Sequence, residues 1–267
     1  MALVKNLRNL LKYRVSEEVL KEVIGILQDK ERIKKSKMFP FRFYTAYREV
    51  SNYCSNDFHY LPKLIQELLR ALEDAALTLI DSVDILRNGK ILIACDVSGS
   101  MWERIAPKSI ILYKDIGLVL GALAAKRLGA YVWLFDNKLD NPTSELLKYD
   151  KVFPVVEKID GGGGTYGYLI PQKLCEEKIA VDKVLIFTDM QMWGDEDFDY
   201  WWKKYKQEVN PEAKLYIFDL AGYGTSPIDE VEKDVWFIAG WSEEIFKVLS
   251  AIEKGSDAIK EIEKIRI

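Results

Sequence analysis

Five oxygen-bearing side chains in three separated stretches offer chemistry in this sequence: Asp96, Ser98 and Ser100 in DVSGS, Thr165 after a glycine run, and Asp189 closing IFTD. Two carboxylates and three hydroxyls are hard ligands that suit magnesium or manganese. Calcium suits them less, because it takes more ligands and more charge. Asp96, Ser98 and Ser100 alternate along a turn, so all three can face one ion, and Gly99 lets the chain fold tightly there. The glycines at 161–164 let Thr165 approach without side-chain obstruction. With only two anionic ligands, such an ion keeps waters or an open position that an acidic group of a protein partner can fill.

These stretches need strand ends to hold them. KILIACDV (90–97), AYVWLF (130–135), DKVLIFTD (182–189), AKLYIFDL (213–220) and DVWFIAG (234–240) read as buried strands. KYDKVFPVV (148–156) reads as a weaker strand, at an edge because of Pro154. Helices are expected at 107–127, 167–177, 195–207, 242–253 and 256–266. The alternation predicts an α/β fold with a mostly parallel sheet, whose strand C-termini face one crevice. Before Asn88–Gly89 the pattern is helical. Leu3, Leu7, Leu10 and Leu11 share a face, Ser16 starts a helix, PFRFYTAYREV forms another, and residues 61–83 follow Pro62 as a long amphipathic helix. DKERIKKSKMFP holds a turn or short helix. The division expected is a helical segment, 1–88, and an α/β domain, 89–267.

Composition removes other chemistries. The 267 residues hold one histidine, His59, and three scattered cysteines, which excludes histidine-rich or thiolate zinc sites. Sparse, odd cysteines fit a reducing compartment, and no stretch is apolar enough for a signal peptide or membrane span. A cytoplasmic location with no membrane partner is expected. The net charge of −4 argues against a protein that coats nucleic acid, and no DNA partner is expected. That charge is uneven: residues 1–50 carry +6 and the remainder −10. The glycine run lacks the Gly-Lys-Ser/Thr ending of a phosphate-binding loop. No nucleophile lies beside a base, so an enzyme is not expected. A metal-dependent hydrolase would lack a general base beyond the ligands themselves.

DVSGS, GGGGT and FTD, in that order and at strand ends, resemble the metal-ion-dependent adhesion site of the von Willebrand factor A domain. The resemblance covers about residues 90–253 and fills every ligand position, and it implies that family's doubly wound, Rossmann-like sheet. LVKNLRNLL, MFPFRFYTAYR and the long helix running into the first strand resemble the Ro (TROVE) RNA-binding family, in which an A domain closes a ring of helical repeats. Only the last helical pairs of that ring have a counterpart, so this is either a natural short version or a fragment of a longer chain. The resemblance implies a ribonucleoprotein component, with structured non-coding RNA on the helical side and a protein partner on the metal side.

Lys30, Arg32, Lys34, Lys35 and Lys37 are the best candidates for phosphate contact, although solvated helix faces carry such charges too. Tyr13, Phe41, Phe43, Tyr44 and Tyr47 interleave with basic residues, as in stacking surfaces for bases, yet aromatics so spaced more often build a helical core. Trp102, Tyr166 and Trp193 flank the metal loops, either as core or as an exposed rim for a partner. A competing reading is a metal-dependent protein-interaction module without RNA.

Overall fold

The computed structural model describes residues 2–54, 60–192, 194, 196–222, 226–228, 234–242, 245–246 and 248–249. The helical part contains α1 (Ala2–Lys12), α2 (Glu17–Gln28), α3 (Lys30–Lys35), α4 (Phe41–Cys54) and α5 (Pro62–Ile80). Ser16 caps α2 by accepting from the Val19 N–H, and Asp29 caps α3 by accepting from the Arg32 N–H. The basic stretch is therefore a short helix, fastened by buried Ile33. Phe41, Phe43, Tyr44 and Tyr47 are buried on α4, so these aromatics are core. Tyr13 is 78% exposed.

A 3-10 turn at Asp84–Leu86 precedes β1 (Ile91–Asp96). Then follow α6 (Tyr113–Leu128), β2 (Tyr131–Phe135), β3 (Leu139–Asp140), α7 (Thr143–Lys148), α8 (Phe153–Val156), α9 (Leu169–Glu176), β4 (Lys183–Thr188), α10 (Phe198–Glu208), β5 (Lys214–Asp219) and β6 (Val235–Ala239). The six-stranded sheet runs β3-β2-β1-β4-β5-β6. Only β2–β3 is antiparallel. β1 and β4 are buried along their whole length. Strands covered on both faces need continuous apolar runs, which is why ILIACD and KVLIFT were legible. One face of the sheet packs on α6 and the helical part in a shared apolar core, and the other packs on α9 and α10. Among the described residues, no helix is long and apolar enough to cross a membrane.

The strand expected at 148–156 does not form. Residues 143–148 and 153–156 are helical, and the edge strand is the two-residue β3. Two local contacts account for this. The Thr143 hydroxyl accepts from the Val132 N–H and donates to the Val132 carbonyl, which pins the start of α7 beside β2. Pro154 lies in the first turn of α8, where its missing N–H costs nothing. The carboxylate of Glu73, from α5, accepts from the Val152 and Phe153 N–H groups at that helix start. The helix expected at 107–127 begins only at Tyr113, because Asp115 caps it by accepting from the Leu112 N–H at 3.0 Å. The helix expected at 256–266 and His59 lie outside the described residues, as does part of 242–253.

Ionic contacts join the helical part to the α/β part. Arg127 makes a two-pronged pair with Asp81, Lys151 pairs with Asp74, and Arg48 lies 3.0 Å from Glu157 and 3.5 Å from Asp115. Rings close the same seam: Phe39 stacks on Phe246, and Phe41 meets Trp241 edge-on.

Candidate metal centre

β2 and β3 lie on one side of β1, while β4, β5 and β6 lie on the other. The strand order therefore reverses at the β1–β4 seam. In such sheets the helical connections leave in opposite directions there and open a crevice at the strand C-termini. Asp96 is the last residue of β1, and Asp189 directly follows β4. Both carboxylates thus flank the crevice.

Asp96, Ser98, Thr165, Thr188 and Asp189 are all buried. Asp96 Oδ1 accepts from the Ser98 N–H at 2.8 Å, and Oδ2 accepts from the Thr188 hydroxyl at 2.6 Å. Asp189 Oδ1 accepts from the Gln191 N–H at 3.1 Å. Burial pushes the Asp96 carboxyl up to about 6, with the hydrogen bonds from the Ser98 N–H and the Thr188 hydroxyl opposing the shift and the neighbouring Asp189 charge adding to it.

Ser98 Oγ and Asp189 Oδ2 are buried without a hydrogen-bond partner. Leaving such atoms bare costs free energy, and a cation ligated by them removes that cost. The donors fit a small hard cation: all are oxygens, two carry charge, and the crevice is at the strand ends. Among the described residues no group of three or more His, Cys, Asp or Glu side chains forms a metal cluster. A site on this crevice would therefore depend on its hydroxyls.

The glycine run brings Thr165 in. A Cβ on Gly161 would lie 2.4 Å from the Val97 carbonyl oxygen, so only glycine permits that approach. Gly163, at φ +88°, presents its carbonyl to the Gly99 N–H at 3.3 Å. The Tyr166 N–H donates to the Asp136 carbonyl at the end of β2. These bonds lay the Thr165 loop against the Ser98–Ser100 loop, where Ser100 is half-buried.

At the rim, Trp102 is 37% exposed and its indole N–H donates to the Val97 carbonyl at 3.2 Å. Tyr166 is half-buried and stacks on Tyr168. Trp193 lies outside the described residues. Lys30, Arg32, Lys34, Lys35 and Lys37 are all exposed, on α3 and just beyond it. They belong to the helical part and not to the crevice. Lys34 lies 3.3 Å from Glu31 in a solvent-exposed pair of little energetic weight.

Sequence reasoning passed over Thr188, although its place beside Asp189 in FTD was a usable signal. It also passed over Arg48, Lys114 and Asp115, which form a charged cluster behind the crevice. The Lys114-Asp115 pair, standing before the apolar run Ile116–Ala125, was a visible sign of the pair itself, though not of its contact with Arg48.

A parallel sheet with one antiparallel edge strand, and DVSGS, GGGGT and FTD at its switch point, define a von Willebrand factor A fold. The comparisons with known proteins agree. Residues 90–252 match the family model described as the Ro60 vWA domain, and residues 1–81 match the TROVE domain. The first match spans more than half of the chain, so the chain belongs to the Ro/TROVE family with its vWA domain. The fold is similar to that of the Deinococcus radiodurans RO (RSR) protein, with a TM-score of 0.71 and 20% sequence identity over 95% of this chain. The chain spans about half the length of that protein, 52%. None of the curated proteins compared matches it.

Proposed function

We propose that this chain is a non-enzymatic, RNA-binding component of a ribonucleoprotein whose vWA part holds magnesium or manganese through Asp96, Ser98, Ser100, Thr165 and Asp189. The observation that carries the metal assignment is the pair of buried, unpartnered oxygens, Ser98 Oγ and Asp189 Oδ2, at the strand-order reversal. The ion would supply positive charge and an open coordination position, where an acidic group of a protein partner is held. Asp96 and Asp189 would balance the ion's charge and the hydroxyls would orient it. Trp102 and Tyr166 would line the partner's approach.

RNA binding falls to the helical part. Membership of the family and the match of residues 1–81 to a TROVE domain support this reading. So does the exposed basic group Lys30, Arg32, Lys34, Lys35 and Lys37. Binding of a structured RNA to the full chain is measured between about 50 and 200 mM salt. Affinity should fall steeply with salt, and neutralising Lys34, Lys35 and Lys37 together should lower the log–log slope by about 2 to 3. Binding that ignores both salt and these substitutions would favour the reading without RNA.

A further inference from the structure

Lys114 is a cation buried behind the crevice, with a side chain only 3% exposed. Its Nζ donates to the Ile159 carbonyl at 3.2 Å and lies 4.4 Å from the centre of the Trp102 ring. It also lies 3.7 Å from Asp115 Oδ1. These contacts reach both loops that flank the candidate metal centre. Trp102 ends the 3-10 turn that carries Ser100. Ile159 stands just before the glycine run that delivers Thr165. A buried ammonium is expensive, and an apolar side chain of similar size would be cheaper. Here it meets a carbonyl, an aromatic face and a carboxylate, so its charge is used on three sides.

The carboxylate is itself anchored from the helical part. Asp115 Oδ2 accepts from the Leu112 N–H at 3.0 Å and lies 3.5 Å from Arg48 on α4. Arg48 in turn holds Glu157 at 3.0 Å, at the end of α8, and donates to the Tyr44 hydroxyl at 3.1 Å. Glu157 is two residues before Ile159, so both Arg48 and Lys114 grip the stretch that leads into the glycine run.

We propose that Lys114 is a positioning residue that clamps the Gly99–Trp102 turn to the stretch entering the glycine run, and so sets where Ser100 and Thr165 stand. The clamp is a structural relationship of this chain's own residues. Its consequence for metal binding rests on the function proposed above.

Hydrogen exchange of the metal-free full chain tests the clamp directly. In Lys114→Met, peptides covering 98–103 and 159–166 should exchange about tenfold faster, as for loss of one charge-assisted hydrogen bond. A peptide covering β5 should be unchanged, and Lys114→Arg should recover most of the protection. A folded Lys114→Met chain with unchanged exchange at 159–166 overturns the proposal. If that variant does not fold, Trp102→Leu removes the other wall of the clamp and should loosen 159–166 as well; unchanged exchange there is equally decisive against it. Manganese titration separates the two claims. A wild type that binds manganese, with Lys114→Met weakened about tenfold, supports clamp and metal reading together. A wild type that binds none defeats the metal reading, while the exchange result still decides the clamp.

Discussion

Thr188 donates its hydroxyl to Asp96 across the β1–β4 seam at 2.6 Å. The same oxygen accepts from the Met190 N–H at 3.1 Å, which ties the loop after β4 to the carboxylate at the end of β1. Thr188→Val keeps the shape and removes this bond. A lost hydrogen bond to a charged, buried group should lower stability by about 1.5–3 kcal/mol, read from denaturant unfolding. A valine variant as stable as the wild type would show that Thr188 does not support Asp96.

Glu73 joins the two parts of the chain by capping α8 from α5, and it is buried. Burial pushes its carboxyl up to about 7 from an ordinary 4.5, with hydrogen bonds from Val152 and Phe153 and the Lys151 charge opposing. Between these values the folded chain holds a proton that the unfolded chain has released. Stability from this group therefore falls as pH rises through the window, by up to about 1.4 kcal/mol per pH unit, and levels off above it. Glu73→Gln keeps an acceptor and loses the proton. Unfolding measured from about pH 5 to about pH 8 should show a downward slope in the wild type relative to Glu73→Gln. Parallel curves would contradict the assignment.

Gly161 lies against the Val97 carbonyl with no room for a Cβ. Gly161→Ala should push the Thr165 loop away from the Ser98 loop and weaken manganese binding by about tenfold, the scale of one lost polar contact. Gly25, on α2, has nothing within 4 Å of the Cβ position. Gly25→Ala should leave manganese binding unchanged and stabilise the chain by about 0.5–1 kcal/mol. Equal effects of the two changes on manganese would remove the reason given for the glycine run.

The sheet was legible because β1 and β4 are covered on both faces, so the runs ILIAC and VLIF within them must be apolar. The placement of Asp96 and Asp189 was legible because each sits at or just past the end of a buried strand. VFPVV misled because its residues favour strands, while its conformation is set by Glu73, some eighty positions earlier. Arg48, Lys114 and Asp115 gain their meaning only when α4 meets α6. No local pattern encodes such a convergence. The exposed basic residues were read correctly as surface, yet a surface charge does not name its ligand.

The central claim is that the crevice at the β1–β4 seam binds a divalent cation. Calorimetric titration of manganese into the full chain, freed of metal by a chelator, tests it most directly. The wild type should bind a single ion, competed by magnesium, and Asp96→Ala should bind none while remaining folded. An Asp96→Ala chain that keeps full manganese affinity, or a wild type that binds no manganese, would contradict it.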